Sequence, residues 1–205
     1  LAQQAPHAAQ RYASYRPPLK LEFRSGMPAN AFALPGGTVV MTDAIVQAAA
    51  DKGISDDALI GVLAHEIGHV AHRHTTRMLV EQGVLNVGLG LALGDVSSVL
   101  STGGSLLTGL AYRRNHEREA DCFAIDLMRH AALPTAPMGT LLLAIAHDED
   151  DAEGSQKSGA SQPAPQKQGK AEAAHPIWSL LSSHPDTVER AHALQQGQSP
   201  HCSAL

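Results

Sequence analysis

The sequence predicts an α+β domain, mainly helical, with a small N-terminal antiparallel sheet. Three observations point there. Period-two alternation at residues 19–23 and two short segments around a Pro-Gly-Gly turn read as strands, and the sequence turns helical from Thr42 onward. Aromatic residues make up only 3% of the chain, so the core must be built from Leu, Val, Ile and Ala. At 205 residues and 43% hydrophobic content the chain can bury one sizeable core, so one catalytic-sized unit is the expected organisation.

Residues 1–18 form a polar Ala/Gln-rich segment with at most one short helix, closed by Pro17 and Pro18. Neither a charged n-region nor an apolar h-region precedes Gln10, so any targeting signal is expected to have been removed. Leu19, Leu21 and Phe23 alternate with Lys20 and Glu22, as in a half-buried strand. Two further extended segments, residues 30–34 and 38–41, flank the turn signal Pro35-Gly36-Gly37. A short helix over residues 43–50 stops near Gly53, and Ser55, Asp56 and Asp57 then offer an N-cap and first-turn negative charge. Ala58, Leu59, Val62, Leu63 and Ile67 give the next helix its apolar face, with no break in the pattern before Gly83.

Residues 84–111 are apolar but rich in Gly and Ser. The uncharged runs on either side of Asp95 fall short of the roughly 20 apolar residues that a bilayer crossing needs, so a buried or partner-covered helical hairpin is favoured over membrane contact. Helical patterns resume over residues 112–131 and 135–147. Residues 148–176 contain no Val, Ile, Leu, Met, Phe, Tyr or Trp and are expected to be a disordered insertion. Short helices return at 177–181 and 187–194, and residues 197–205 form a tail. The domain is therefore residues 19–147 together with 177–196.

Charge excludes one class of partner. The 15 basic residues are outnumbered by 20 acidic ones and form no cluster that could track a phosphate backbone, so no nucleic acid partner is expected. Cys122 and Cys202 are too few for a disulfide scaffold and read as two unpaired thiols, with a single bridge as the alternative.

His65-Glu66-Ile67-Gly68-His69 carries the chemistry. Histidines four apart on a helix share one face, so a single metal ion can take both imidazoles. Glu66, one position along, then stands beside the ion, where it can take a proton from an activated water. A catalytic zinc needs three protein ligands and an open position. The third is sought in Asn115-His116-Glu117-Arg118-Glu119-Ala120-Asp121. Glu117 and Asp121 share a face there, so one can ligate and the other can hydrogen-bond a ligand imidazole, and spacing does not say which. Glu119 points some 200° away by the roughly 3.6-residue period and reads as the surface member. His116 is a distant second as ligand. The competing reading makes these acids i,i+4 partners of Arg113, Arg114 and Arg118 on a solvated helix, and the upstream histidines weigh against it. His72 and His74 extend the motif but read as structural. A metzincin would have Gly at 72 and a ligand His at 75, where this chain has His72 and Thr75.

Four segments together resemble the M48 family of zinc metallopeptidases: residues 30–37, the His65 to His69 motif, Glu117 to Asp121, and Ser183-His184-Pro185 followed by Arg190. The likeness spans roughly residues 19 to 195. It implies a zincin-like metalloprotease domain with one zinc ion per chain, held by His65, His69 and Glu117, with Asp121 as the orienting carboxylate and Glu66 as general base. It also implies that Asn30, Ala31, Phe32, Ala33 and Leu34 form an edge strand to which an unfolded or extended polypeptide substrate adds. His184 faces the zinc, to support the oxyanion or to block the metal in a latent form, and Arg190 assists or orients it. The resemblance further implies a bacterial cell-envelope protein on the periplasmic face of the inner membrane, concerned with protein quality control. Membrane association would run through a segment outside this chain or through residues 84–111. The alternative function is a peptide-binding or chaperone-like module that keeps a zinc site without cutting.

Overall fold

The computed structural model describes residues 18–80, 104–157 and 183–198, together with Cys202. Three strands lead, β1 (Lys20–Arg24), β2 (Ala31–Ala33) and β3 (Thr38–Thr42), followed by five helices: α1 (Asp43–Asp51), α2 (Asp57–His72), α3 (Gly104–His130), α4 (Ala136–Lys157) and α5 (Thr187–Gln195). The α+β architecture is as expected. The helices expected at the N-terminus and at 177–181 and most of the 84–111 stretch lie outside the described residues, as do most of the insertion and tail. No helix among the described residues is long and apolar enough to cross a membrane.

The sheet is mixed rather than antiparallel. Its order is β1-β3-β2, with β2 antiparallel to β3 (Phe32 opposite Val40) and β1 parallel to it (Glu22 opposite Val40). Alternation identifies a strand but not its partner, and β3 can take neighbours on both edges because Val39, Val40 and Met41 are buried. The β2–β3 turn uses Gly36 and Gly37 at φ 90° and 97°, a backbone region that side chains rarely tolerate. β1 also departs from the half-buried expectation. Leu21 and Phe23 are exposed, whereas Glu22 is partly covered and pairs with Lys20 and Arg24. The alternation shows which residues share a face, and position at the end of the strand order leaves that face open.

The Thr42 hydroxyl ties the sheet to the helices by accepting from the Asn30 N–H at 2.9 Å and from the N–H of Ile45 in the first turn of α1. α2 then runs between two apolar clusters. On one side Val62 packs with Ala31, Met41, Ile45, Leu141, Ile145 and Leu194 from the sheet, α1, α4 and α5. On the other, Ala64, Ile67 and Ala71 pack on Phe123, Ala124, Leu127 and Met128 of α3. At Gly68 the two helices nearly touch, and a Cβ there would stand 3.0 Å from the Ala120 Cα. That close approach lets side chains at 65 and 69 meet those at 117 and 121.

Three further expectations are corrected. The α2 pattern does not run unbroken to Gly83, because Arg73 adopts a left-handed conformation (φ 58°) that ends the helix before a new helical segment at 74–80. α4 continues past His147 to Lys157, so order does not stop at residue 148. Local contacts support the extension, with Asp148 pairing Lys52 at 3.1 Å and Asp151 pairing His147 at 3.3 Å. Finally, Cys122 on α3 and Cys202 are joined in a disulfide, with Cα atoms 5.6 Å apart. Proximity across 80 residues of sequence is a property of the fold, which cysteine count does not reveal.

Candidate metal centre

His65 and His69 project from one face of α2 into the seam with α3, and their Nε2 atoms lie 3.0 Å apart. Glu117 reaches between them from α3. One carboxylate oxygen is 3.4 Å from His65 Nε2 and the other 3.3 Å from His69 Nε2. All three side chains are buried. With His184 they form a group whose donor atoms lie within 4.8 Å of one another. Two imidazoles and one carboxylate are the nitrogen and oxygen donors of a catalytic zinc site.

A second observation fits the same group. Glu66 is 1% exposed, yet its Oε2 has no hydrogen-bond partner among the described residues, while Oε1 lies 3.5 Å from His184 Nε2. A buried carboxylate oxygen without a partner is costly in a purely structural setting, and is what a base awaiting a substrate water looks like.

Each imidazole is held from behind. His65 Nδ1–H donates to Asp121 at 2.9 Å, which fixes the ring with its Nε2 facing the centre. Arg190 from α5 grips Asp121 with two parallel bonds of 2.6 Å and donates a third, of 2.5 Å, to Glu117. His184, in the turn before α5, sits between the acids. Its Nδ1 donates to Glu117 at 3.0 Å and its Nε2 to the carbonyl of Ala31 at 3.1 Å. Both nitrogens face acceptors, so this ring donates through each of them in this arrangement.

The charges answer one another. Burial alone would raise the Glu117 and Asp121 carboxyls, but Arg190 overrides it, holding Glu117 well below the usual range and Asp121 at about 2. Burial disfavours charge on His65, yet Asp121 and Glu117 raise it to about 9. His184 rises above its ordinary value because Glu117 and Glu66 outweigh its burial. Arg190 is stabilised as a cation by Asp121 and Glu117 in spite of its burial.

The structure thus brings His65, Glu66, His69, Glu117, Asp121, His184 and Arg190 to one centre. The solvated-helix reading of the acids fails, since Arg114 pairs with Asp186 at 2.9 Å and Arg118 bonds Asn115. His116 is not a donor to the centre and stacks on His74 with ring centroids 4.1 Å apart. Two residues were misjudged. Glu119 is not a surface member, because its side chain is 24% exposed and lies 3.1 Å from His72 and 2.9 Å from His74. His74 is fully buried and contacts His69 directly, with 2.9 Å between their Nδ1 atoms. The available signal was that four histidines stand close together in the sequence, and a third acid lies between Glu117 and Asp121.

β2 lies at the end of the strand order beside this centre. Leu34 N–H and the Asn30 carbonyl bond to β3, so by alternation Ala31 and Ala33 turn their backbone groups outward. The outward carbonyls accept from His184 and from the Thr75 hydroxyl. A groove of about 380 Å³ runs along this edge, lined by Phe32, Leu34, Glu66, His116, Glu117 and His184 among others.

The sequence model of peptidase family M48 matches residues 2–198. The chain belongs to peptidase family M48. The donor group described above suits the zinc that this family uses. Among the relatives, the mitochondrial metalloendopeptidase OMA1 of Saccharomyces cerevisiae is 35% identical over 105 residues, covering 50% of this chain and 29% of its own length. The beta-barrel assembly-enhancing protease of Escherichia coli K12 is 30% identical over 129 residues, covering 55% of this chain and 25% of its own length. A putative protease of the same description from Vibrio cholerae is 30% identical over 122 residues, covering 53% and 24%. The chain therefore matches less than a third of the length of each of these M48-type proteins.

Proposed function

We propose that this M48 chain is a zinc endopeptidase domain that cuts extended polypeptide, and that it works in protein quality control in a bacterial envelope. The observation that carries the catalytic reading is the convergence of His65 Nε2, His69 Nε2 and the Glu117 carboxylate beside the partnerless oxygen of Glu66.

His65, His69 and Glu117 would hold the ion. When bound, zinc lowers the pKa of a coordinated water and polarises the scissile carbonyl. Glu66 accepts the proton of the attacking water and returns it to the leaving amine. His184, whose Nε2 lies within 3.5 Å of Glu66, offers a donor to the oxygen that gains negative charge. Arg190 keeps Glu117 and Asp121 ionised and fixed in direction. Asp121 holds the His65 ring so that its Nε2 faces the centre.

The substrate chain adds to the outer edge of β2 by backbone hydrogen bonds, which read side chains weakly. For this, His184 and Thr75 must release the carbonyls of Ala31 and Ala33, so binding and the positioning of His184 over Glu66 are coupled. Asn30 and Leu34 anchor the two ends of β2 to β3. The envelope location is supported by the bacterial relatives and by the Cys122–Cys202 disulfide, which persists in an oxidising compartment. The domain proposed is residues 19–147 with 177–196, with α4 running on beyond the first limit to Lys157.

Incubation with unfolded casein tests it. Zinc-loaded protein is expected to fragment the casein, to stop when a chelator is added, and to resume when zinc is restored. Intact casein under every condition would favour a module that binds peptide without cutting.

A further inference from the structure

Asp121 orients one metal-ligating imidazole, and the other also needs its distal nitrogen fixed. Among the described residues, the contact made by His69 Nδ1 is to another imidazole. This nitrogen lies 2.9 Å from Nδ1 of His74, whose Nε2 lies 2.9 Å from Glu119 Oε2. We propose that Glu119, acting through His74, is a positioning residue that holds His69 in the tautomer able to bind zinc. The inference rests on the metal reading of His65, His69 and Glu117.

The chain of protons follows from which atoms can donate. An ionised carboxylate only accepts, so His74 Nε2 carries the hydrogen. His74 is 0% exposed and packed against His69, His72 and His116, and its two nitrogens face Glu119 and His69. With Nε2 donating to Glu119, Nδ1 is placed to accept from His69. His69 must then donate from Nδ1, and its Nε2 is left with a lone pair directed at Glu117 and at His65 Nε2. The opposite order would put a hydrogen on His69 Nε2, where it would block ligation. His72 Nδ1 lies 3.1 Å from the same oxygen, near it but without the geometry of a hydrogen bond.

Backbone geometry makes the relay available. The left-handed Arg73 breaks α2 and redirects the chain, placing His74 beneath His69 instead of farther around the helix. The three acids of Glu117-Arg118-Glu119-Ala120-Asp121 thereby have three jobs: Glu117 ligates, Asp121 orients His65, and Glu119 orients His69 through an intervening imidazole. Partners of ligand histidines of this kind are worth roughly 10- to 100-fold in metal affinity.

The test reads the tautomer directly. Long-range ¹H–¹⁵N spectra of the metal-free wild type should show His69 protonated at Nδ1, and zinc titration gives the reference Kd. In Glu119→Ala a population protonated at Nε2 should appear, and Kd should rise roughly 10- to 100-fold. Glu119→Gln retains an accepting oxygen and should recover most of the affinity, whereas His74→Phe keeps the ring shape and should not. An unchanged His69 tautomer, with Kd within twofold of wild type in both Glu119→Ala and His74→Phe, would overturn the proposal. So would a second tightly bound zinc in the wild type that Glu119→Ala removes, since His72, His74 and Glu119 would then hold a cation of their own. A wild type that takes up no zinc would instead strike the reading of the main centre, which the metal-free spectra do not depend on.

Discussion

Glu66→Gln should lower casein hydrolysis by roughly 10²- to 10⁴-fold, the range general base catalysis supplies, while zinc stays bound at one equivalent. The two side chains have nearly the same shape, and Glu66 is 1% exposed, so the packing of α2 is preserved. None of the proposed ligand atoms is altered. What disappears is the ability to accept a proton, because an amide oxygen at neutral pH does not take one. The His184 contact at 3.5 Å survives, since an amide oxygen still accepts a hydrogen bond. Full activity in the variant would mean that the base lies elsewhere, and the partnerless Glu66 oxygen would then need another explanation. Metal content and hydrolysis must be measured on the same preparation, so that loss of the base is not confused with loss of the ion.

Glu117→Ala should do the reverse and remove the metal itself. Two imidazoles remain, and they are a poor site for zinc without a third ligand. The change also leaves Arg190 and His184 facing the centre without the carboxylate that both of them contact, at 2.5 and 3.0 Å. The positive charge of Arg190, now balanced by Asp121 alone, lies close to the place the dication would occupy. Removing one partner of a buried charge pair typically costs about 3–5 kcal/mol, so the thermal midpoint should fall as well. Asp121 continues to hold Arg190 through its paired 2.6 Å bonds, which should limit the damage to the fold. Zinc bound at one equivalent in this variant would move the third ligand to another residue.

The features legible in the sequence were those that local spacing encodes. His65, Glu66 and His69 follow from one turn of helix, and the helical elements follow from periodicity and breakers such as Gly53 and Pro134. Helical spacing put Glu117 and Asp121 on a shared face, and the structure brings both carboxylates to the histidines of α2. What escaped depended on partners distant in sequence. The pattern of β1 is that of a strand, but its parallel pairing with β3 is set by how the chain crosses the sheet. The Cys122–Cys202 bridge needed the fold to bring the two together. Glu119 was misread because angular position was counted along an isolated helix, and the histidines it meets come from α2 and from the turn at Arg73. That break had no Gly or Pro to announce it. Continuation of α4 through an acidic, non-aliphatic stretch shows that helical order can outlast burial where neighbouring charges pair.

The most direct measurement is a crystal of the zinc-loaded protein recorded at the zinc absorption edge. The expected result is a single strong anomalous peak per chain, roughly 2.0–2.2 Å from His65 Nε2, His69 Nε2 and a Glu117 oxygen. A peak lodged among His72, His74 and Glu119 alone, or no peak after soaking, would contradict it.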